Sequence, residues 1–432
     1  MHPKYHLTAP KHWINDPVGF IYYQGNYHLF YQYYPYENRW GTMHWGHSIS
    51  KDLIHWQDLG IALYPSKLYD QNGCFSGSSI EIDDKMYIYY TGVKYTKVNP
   101  ENINVTFSGD EFIASQALLI SEDGFAFDNL NAKSLIIPEF KEGQIGHPTH
   151  TRDPKVWKYQ DKYYLVVASK YLDDDNNYNG QLLFYRSDDA KKWEYVNNYR
   201  GIKIGDMWEC PDVFEVDGQY LLIMSPERTN STGYPSHGRI TTIDFDHDDC
   251  SLKITGDLNY LDYGLDLYAP QTTIDKDGNR IYVGWMRMPK ADEDDWIGLI
   301  TYPRVITYHD NHIYTNIHPN VDQLFNKKVT AFDFNQPCKI TTNLNKGDYL
   351  NIGGYSISFD GTLKIDRQLV YTNKGGQTNL VSPKLDQCQL NIFYDQHIIE
   401  IFINDGQYVI SNIVYNIGDE ITSNVAYQIY QK

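Results

Sequence analysis

The pattern of apolar and polar positions predicts short strands along almost the whole chain of 432 residues, and one arrangement of them recurs five times. In each copy an apolar strand is followed by a short polar turn and then by a second strand rich in aromatic residues. The turns contain Gly, Asn, Asp and Gln, which tolerate the backbone angles of a tight hairpin. The five copies cover residues 19–31, 78–90, 155–167, 213–224 and 272–285.

The spacing of these hairpins predicts a ring of repeated sheets. Successive copies lie about 60 to 80 residues apart, which leaves room for four short strands and a loop, the content of one propeller blade. Five blades close into a ring without long open sheet edges. An antiparallel sandwich also contains hairpins, but it does not require the same hairpin five times in one order. We therefore predict an all-β fold that begins with a five-bladed β-propeller, over residues 1–317.

The last part of the chain has a different pattern. A helical spacing of apolar residues after Pro319 predicts a short linker at residues 318–329. From residue 330 to residue 432, alternating apolar and polar positions separated by turns predict a C-terminal β-sandwich. We expect this second domain to be a scaffold, in which Glu400 faces solvent because it alternates with apolar neighbours.

Composition and charge narrow the classes of partner. The formal net charge is -18 with both signs interspersed, which argues against nucleic acid and against an anionic membrane surface. No apolar run is long enough to span a membrane and no signal peptide is recognisable, so we expect a cytoplasmic protein. The chain contains 39 Tyr, whose flat faces and polar edges suit a small carbohydrate as well as a strand surface. Nothing in the sequence predicts an oligomeric state.

The cysteines and histidines predict neither a disulfide framework nor a metal site. The 5 Cys are odd in number and form no CxxC pair, which favours a reducing compartment. The histidines lack the spacing of metal ligands, so no metal or cofactor is implied. Cys210 lies beside an acidic residue, but no His is placed to activate it. Packing is therefore favoured over a nucleophilic role for this thiol.

Acidic residues recur just ahead of the repeated hairpins. Aligned on their turns, the five copies bring chemically distinctive residues to positions that match to within one residue, and these are Asp16, Ser76, Asp153, Glu209 and Tyr268. Equivalent positions in propeller blades meet at the axis. Proline follows four of them, and we expect each proline to mark the frayed start of an innermost strand that faces a central funnel. Strand alternation alone does not fix which of these side chains point inward, and Asp before Pro is also a common turn former.

Three carboxylates in one funnel suit glycoside hydrolysis. Retaining glycosidases use one ionised carboxylate as nucleophile and one protonated carboxyl as acid, about 5 to 5.5 Å apart. A third acid can hold sugar hydroxyls as positive charge develops on the ring. A sugar-binding propeller without catalysis is the alternative from another functional class, but it would not need a separated nucleophile and acid.

At these residues the chain resembles glycoside hydrolase family 32, which contains invertases, sucrose-6-phosphate hydrolases, levanases and inulinases. Residues 13–19 (WINDPVG) are similar to its Trp-(Met/Ile)-Asn-Asp-Pro-Asn-Gly block, residues 152–154 (RDP) to its Arg-Asp-Pro motif, and residues 208–211 (WECP) to its Glu-Cys motif. Val18 stands where the family usually has Asn. This departure affects the turn hydrogen bond after the nucleophile but not the nucleophile itself.

The resemblance implies that Asp16 is the nucleophile, Glu209 the acid/base and Asp153 the stabiliser of the transition state. Seven further residues are predicted to bind substrate, and they are Asn15, Gln32, Trp40, Phe75, Ser76, Arg152 and Tyr268. The implied reaction is hydrolysis, with retention, of the terminal fructofuranosyl bond of sucrose, sucrose 6-phosphate or short fructo-oligosaccharides.

Two further questions stay open at this point. A fructosyltransferase would share the chemistry and differ only in the acceptor, whereas an arabinan-cleaving propeller would lack the block at residues 13–17. The resemblance to glycoside hydrolase family 32 is weakest at residues 287–296, where the leaving-group side of the pocket is expected, so it defines the preferred substrate least well there. Residues 207–211 and 284–286 resemble those of the sucrose-6-phosphate hydrolases of that family, and this resemblance favours the phosphorylated disaccharide. Arg287 and Lys290 are the candidate phosphate ligands.

Overall fold

The computed structural model describes residues 2–106, 111–229, 237–289, 295–372 and 374–432. Within these ranges the chain forms seven antiparallel or mixed sheets, one short α-helix and one turn of 3-10 helix. No helix among the described residues is both long and apolar enough to cross a membrane. All 5 Cys are buried and unpaired.

The first five sheets are the blades of a propeller. Blade 1 contains β1 (His12–Tyr23), β2 (Asn26–Tyr34), β3 (His44–Ser50) and β4 (Gln57–Leu63). Blade 2 contains β5 (Cys74–Ile82), β6 (Lys85–Tyr95), β7 (Phe112–Ser121) and β8 (Lys133–Ile137). Blade 3 contains β9 (Thr151–Tyr159), β10 (Lys162–Leu172), β11 (Tyr178–Ser187) and β12 (Glu194–Tyr199).

Blades 4 and 5 complete the ring. Blade 4 contains β13 (Met207–Val216), β14 (Gln219–Glu227), β15 (Arg239–Asp246), β16 (Ser251–Ile254) and β17 (Asn259–Tyr260). The strands that follow are β18 (Leu267–Ile274), β19 (Arg280–Met286), β20 (Trp296–Ile297), β21 (Leu299–Ile300), β22 (Arg304–His309) and β23 (His312–Ile317). All of these except β20 form blade 5, whereas β20 pairs in parallel with β1. This pairing links the last blade to the first.

The C-terminal part consists of two packed sheets, preceded by helix α1 (Pro319–Leu324). The first sheet contains β24 (Lys327–Val329), β25 (Cys338–Asn343), β30 (Gln389–Asp395), β31 (Ile398–Ile403), β32 (Tyr408–Ile413) and β34 (Tyr427–Gln431). The second contains β26 (Tyr349–Ile352), β27 (Tyr355–Phe359), β28 (Thr362–Asp366), β29 (Asn379–Lys384) and β33 (Ile421–Ser423), and the 3-10 turn covers Gln368–Val370. The predicted fold, a five-bladed β-propeller followed by a β-sandwich, is confirmed. The domain limits 1–317, 318–329 and 330–432 stay a prediction.

Each blade begins with the predicted hairpin, but the innermost strand does not fray at its proline. The strand continues toward the axis across a β-bulge, in which it carries one residue more than its partner. The bulges lie between Ile14 and Pro17, between Phe75 and Gly77, between Arg152 and Lys155, between Glu209 and Asp212, and between Tyr268 and Gln271. The expected frayed start is therefore wrong, because a bulge leaves one residue unpaired and tolerates proline inside the strand.

The two domains meet across a buried group of charged residues, the interface cluster, made of His6, Asp262, Arg304, Asp395 and Glu400. The Arg304 guanidinium lies 2.7 Å from Asp262 Oδ2 and 2.6 Å from Glu400 Oε2. His6 lies 2.9 Å from Asp395 and 2.9 Å from Glu400. The expectation that Glu400 faces solvent is wrong. Its side chain is fully buried, because this face of β31 packs against the propeller instead of water.

Candidate active site

A cavity of about 480 Å³ opens at the propeller axis, where the innermost strands of all five blades meet. Every described residue that lines it precedes residue 288, so the sandwich contributes none of them. The cavity brings together all ten residues predicted from the sequence, and they are Asn15, Asp16, Gln32, Trp40, Phe75, Ser76, Arg152, Asp153, Glu209 and Tyr268.

The bulges explain why neighbouring residues of one strand both reach the cavity. Strand alternation would send them to opposite faces, but the extra residue of a bulge breaks that alternation. The residue before the proline has a positive φ in blades 3 to 5, with 67° at Asp153, 50° at Cys210 and 48° at Ala269. Glu209 therefore corresponds to Arg152 in blade 3, not to Asp153, which accounts for the one-residue mismatch in the sequence alignment.

Asp16 is held from both sides by neutral donors. Ser76 Oγ donates to Asp16 Oδ2 at 2.5 Å, and Asn15 Nδ2 donates to Asp16 Oδ1 at 3.1 Å. Asn15 is oriented in turn by the indole of Trp13, which donates to its Oδ1 at 2.8 Å. Burial and the charge of Glu209 raise the pKa of Asp16 to about 6, although these hydrogen bonds and Arg152 oppose the shift. The carboxylate is thus fixed in place and mostly ionised at neutral pH.

Asp153 lies beside Asp16 at the floor of the cavity. The backbone N–H of Cys210 donates to its Oδ2 at 2.9 Å. Burial and the charge of Glu209 raise the pKa of Asp153 to about 7. The Cys210 Sγ lies 3.7 Å from Asp153 and 3.8 Å from Asp16, and burial together with these carboxylates raises the pKa of this thiol well above its usual value. Cys210 therefore remains a thiol packed between two acids.

Glu209 is engaged at both oxygens. Arg152 contacts Oε1 through Nε at 2.8 Å and through Nη2 at 2.6 Å. The Tyr268 hydroxyl donates to Oε2 at 2.5 Å and also lies 3.0 Å from the carbonyl oxygen of Ser225. Burial and the charge of Glu209 raise the pKa of Tyr268 well above its ordinary value, so this phenol remains a hydrogen-bond donor. The pair of contacts fixes the position of the Glu209 carboxyl at the wall of the cavity.

Aromatic rings form much of the remaining wall. Trp40 packs edge-on against Phe75 with ring centroids 5.7 Å apart, and Trp13 packs in the same way against Trp285 at 5.8 Å. Such faces suit the apolar face of a sugar ring. Phe112 and Trp285 also line the cavity and were not predicted. Val18 does not reach it, since its side chain is buried in the core that blades 1 and 2 share.

Sequence reasoning also missed an acid, Glu227, and the residues around it. Glu227 Oε2 lies 3.2 Å from Arg152 Nη2, and the neighbouring charge of Glu209, with burial, raises the pKa of Glu227. Glu227 ends strand β14, opposite Met207 at the start of β13. A signal was available, since Pro226 follows the apolar run at residues 221–224 within the strand and directly precedes this acid.

Three other polar residues that the sequence did not place with the acids line the same cavity, and they are His150, Arg228 and Arg287. Burial and the charge of Arg152 lower the pKa of His150 to about 2, which keeps that imidazole neutral. Arg287, which the sequence suggested as a phosphate ligand, does line the cavity. Lys290, the other candidate phosphate ligand from the sequence, lies outside the described residues.

Two family models match the chain. The model described as "Glycosyl hydrolases family 32 N-terminal domain" matches residues 6–318. The model described as "Glycosyl hydrolases family 32 C terminal" matches residues 354–429. The two matches follow each other along the chain in the order of the propeller and the sandwich.

Curated relatives and solved structures agree with these matches. The chain is 31% identical to sucrose-6-phosphate hydrolase of Escherichia coli, over 96% of this chain and 89% of that protein. It is 30% identical to raffinose invertase of Escherichia coli, over 97% of this chain and 90% of that protein. The solved GH32 beta-fructofuranosidase of Bombyx mori superposes with a TM-score of 0.83 at 28% identity, over 100% of this chain and 93% of that one. A mutant of the Bombyx mori enzyme was solved in complex with sucrose.

Proposed function

Because this chain belongs to glycoside hydrolase family 32 and is a β-fructofuranosidase, we propose that it hydrolyses its substrate with Asp16 as nucleophile and Glu209 as acid/base. The observation that carries this assignment is the contrast between the two carboxyls in one cavity. Asp16 is held by the neutral donors Ser76 and Asn15, which leave its charge available for attack. Glu209 is held by the cation of Arg152 and by the hydroxyl of Tyr268.

In the first step Asp16 attacks the anomeric carbon of a terminal fructofuranosyl unit. The C–O bond to the leaving group breaks, and the leaving oxygen takes a proton from Glu209. A fructosyl ester on Asp16 is the product of this step. In the second step Glu209 removes a proton from water, which attacks the same carbon and releases fructose with retained configuration.

Asp153 and Arg152 support these steps. Asp153 is positioned to hold ring hydroxyls as positive charge develops, and its raised pKa keeps a proton within the carboxylate cluster near neutral pH. Arg152 binds Glu209 and limits its motion. Asn15, Gln32, Trp40, Phe75 and Ser76 form the fructosyl side of the cavity in this proposal, because they surround Asp16 on blades 1 and 2.

The substrate is a small carbohydrate, and we propose sucrose, sucrose 6-phosphate and short fructo-oligosaccharides as its chemical range. The named relatives support this range, since they include a sucrose-6-phosphate hydrolase and a raffinose invertase. The cavity of about 480 Å³ accommodates a terminal fructosyl unit and a neighbouring sugar. A cytoplasmic location stays a prediction from the sequence.

Replacement of Asp16 by Asn tests the proposed nucleophile. The amide cannot form the ester, so kcat/KM should fall by roughly 10⁴-fold or more on every fructoside, while the near-isosteric change leaves the fold intact. Asp84→Asn, in the exposed turn between β5 and β6, is the matched control and should keep full activity. Asp16→Asn activity within about tenfold of the parent would show that another group attacks.

Replacement of Glu209 by Gln tests the proposed acid. Sucrose needs its leaving oxygen protonated, whereas an aryl fructoside with a good leaving group does not, so the first step should slow far more for sucrose. Single-turnover kinetics on both substrates measure this step alone. An equal loss of single-turnover rate on the two substrates would show that Glu209 is not the acid.

A further inference from the structure

We propose that Glu227 makes the leaving-group side of the cavity selective for neutral sugars over phosphorylated ones, an inference that rests on the proposed roles of Asp16 and Glu209. The leaving oxygen lies next to the group that protonates it. Arg152 Nη2 lies 2.6 Å from Glu209 Oε1 and 3.2 Å from Glu227 Oε2, so one guanidinium separates the two carboxyls. Glu227 therefore lies on the leaving-group side.

Glu227 is accessible to a bound sugar. Its side chain is 28% exposed and lines the cavity, in contrast to the 9% of Arg152. It has no role in the two proposed chemical steps. A carboxylate at this place accepts hydrogen bonds from sugar hydroxyls, but it repels a phosphate group, which carries a charge of about -1.5 to -2 at neutral pH.

The cations around Glu227 are already engaged by carboxylates. Arg228 Nε lies 3.0 Å and 2.9 Å from the two oxygens of Asp206, and its Nη2 lies 3.5 Å from Glu227. Lys170 Nζ also binds Asp206, at 3.0 Å. A phosphate could take these cations only in competition with the carboxylates, which would then lose their own partners.

Arg287 stands apart from this group and is the third arginine among the described residues that line the cavity. Its guanidinium lies 5.1 Å from the ring centroid of Tyr268, and its Nε lies 3.4 Å from the carbonyl oxygen of Asp266. In this position it can donate to a sugar hydroxyl.

A repulsive group of this kind disfavours the phosphorylated sugar while it leaves binding of the neutral sugar unchanged. Acids on this side belong to neighbouring turns of the same blade, since Glu227 ends β14 and Asp206 directly precedes β13. Both therefore lie on the same blade as Glu209. In this proposal the preference for a neutral leaving group therefore comes from blade 4.

The test compares sucrose with sucrose 6-phosphate in the parent, in Glu227→Gln and in Glu215→Gln. Glu215 is an exposed acid on the inner strand of the same blade, outside this cavity, and serves as the charge-matched control. We expect the parent to prefer sucrose by about tenfold or more in kcat/KM, and Glu227→Gln to narrow this ratio by about tenfold. Glu215→Gln should leave the ratio unchanged. Added salt should narrow the parent ratio but not that of Glu227→Gln.

Two results would overturn the proposal. One is a parent enzyme that prefers sucrose 6-phosphate, particularly if Arg287→Gln removes that preference. The other is a ratio of kcat/KM for sucrose to kcat/KM for sucrose 6-phosphate that differs by less than about threefold between Glu227→Gln and the parent. Inactivity of the parent on sucrose, sucrose 6-phosphate and an aryl fructoside would instead count against the proposed function. Calorimetric binding of glucose and of glucose 6-phosphate would then still measure the selectivity, with glucose 6-phosphate expected to bind more weakly in the parent than in Glu227→Gln.

Discussion

Two buried groups of carboxylates in this molecule have opposite electrostatic character. In the interface cluster, burial alone would raise the pKa of Glu400, but Arg304 and His6 bring it below its usual value. Burial would likewise lower the pKa of His6, but hydrogen bonds to Asp395 and Glu400 raise it. In the active site, burial and mutual repulsion raise the pKa of Asp16 to about 6 and that of Asp153 to about 7.

The two groups differ in how the charges are partnered and also in exposure, since the Glu400 side chain is fully buried whereas those of Glu209 and Glu227 are 17% and 28% exposed. Glu400 accepts from Arg304, from His6 and from the backbone N–H of Tyr302. In the active site Arg152 is the guanidinium that contacts Glu209, and it is shared with Glu227. The carboxylates of the interface cluster are compensated, meaning that each contacts Arg304 or His6, and they hold the two domains together. Those of the active site are under-compensated, because two of them share one guanidinium, and they retain reactivity at a cost in stability.

The largest difference between the two groups should appear when an arginine is removed from each. Arg304→Met leaves Asp262 and Glu400 buried without their cation and should lower the free energy of unfolding by about 3–5 kcal/mol. Arg152→Met leaves its carboxylates facing a cavity that water enters, and should cost only about 1 kcal/mol. Urea titrations of both variants measure these values.

Activity should respond in the reverse order. Arg152→Met should reduce kcat/KM by about 100-fold, because Glu209 loses the group that positions it. The folded fraction of Arg304→Met should keep activity within about threefold of the parent. Equal losses of stability in the two variants would remove the distinction between compensated and under-compensated charges.

Asp153→Asn should change the free energy of unfolding by less than Arg304→Met does, and it should stabilise the protein instead of destabilising it. The pKa of Asp153 is raised from 3.8 to about 7, so the folded protein binds more protons than the unfolded chain between these values. Its contribution to stability is therefore fully present below about pH 4 and is lost as the pH rises through about 7. Asn removes this dependence, and should stabilise the protein by about 1–2 kcal/mol at pH 8 while activity falls steeply.

Urea midpoints at pH 4 and pH 8 check this prediction. The stabilisation should be present at pH 8 and absent at pH 4. Glu400→Gln is the matched comparison, because the pKa of Glu400 is lowered in the folded protein. That variant should be less stable than the parent at neutral pH, with the deficit shrinking as the pH falls. An Asp153→Asn protein that is less stable than the parent at pH 8 would contradict the account.

The smallest expected effect is a shift in the pH dependence of activity. Attack requires ionised Asp16, so kcat/KM of the parent should fall below about pH 6. The charge of Glu209 contributes to this raised pKa, and Glu209→Gln should therefore move the acidic limb to lower pH by about 0.5–1 unit. The measurement uses an aryl fructoside, which does not need the acid. An acidic limb at the same pH in Glu209→Gln and in the parent would mean that the charge of Glu209 does not raise the pKa of Asp16.

The repeat was sufficient to predict the blades, because each hairpin is specified locally by its turn residues. At the turn after β1, Gln24 and Gly25 have the positive φ values that such a turn requires. The candidate acids Asp16, Asp153 and Glu209 were likewise visible, because they recur to within one residue of the same place before those turns. Local pattern therefore predicted both the architecture and the residues that meet at the axis.

What the sequence did not predict depends on contacts between distant segments. Glu400 alternates with apolar neighbours as a surface residue would, and only the packing of β31 against Arg304, 96 positions earlier, shows that it is buried. The bulges were missed because proline at a bulge and proline at a strand end have the same sequence. Glu227 was missed because it lies on the second strand of its blade, outside the alignment that found Glu209.

Identification of the residue that becomes covalently fructosylated tests the central claim most directly. Glu209→Gln lacks the base of the second step, so an aryl fructoside should load the enzyme faster than water unloads it. Acid quenching, digestion and mass spectrometry then locate the adduct. We predict one fructosyl group, on the peptide that carries Asp16, and none in Asp16→Asn combined with Glu209→Gln. An adduct on the peptide that carries Asp153, or turnover without any adduct and with inverted configuration, would contradict the account.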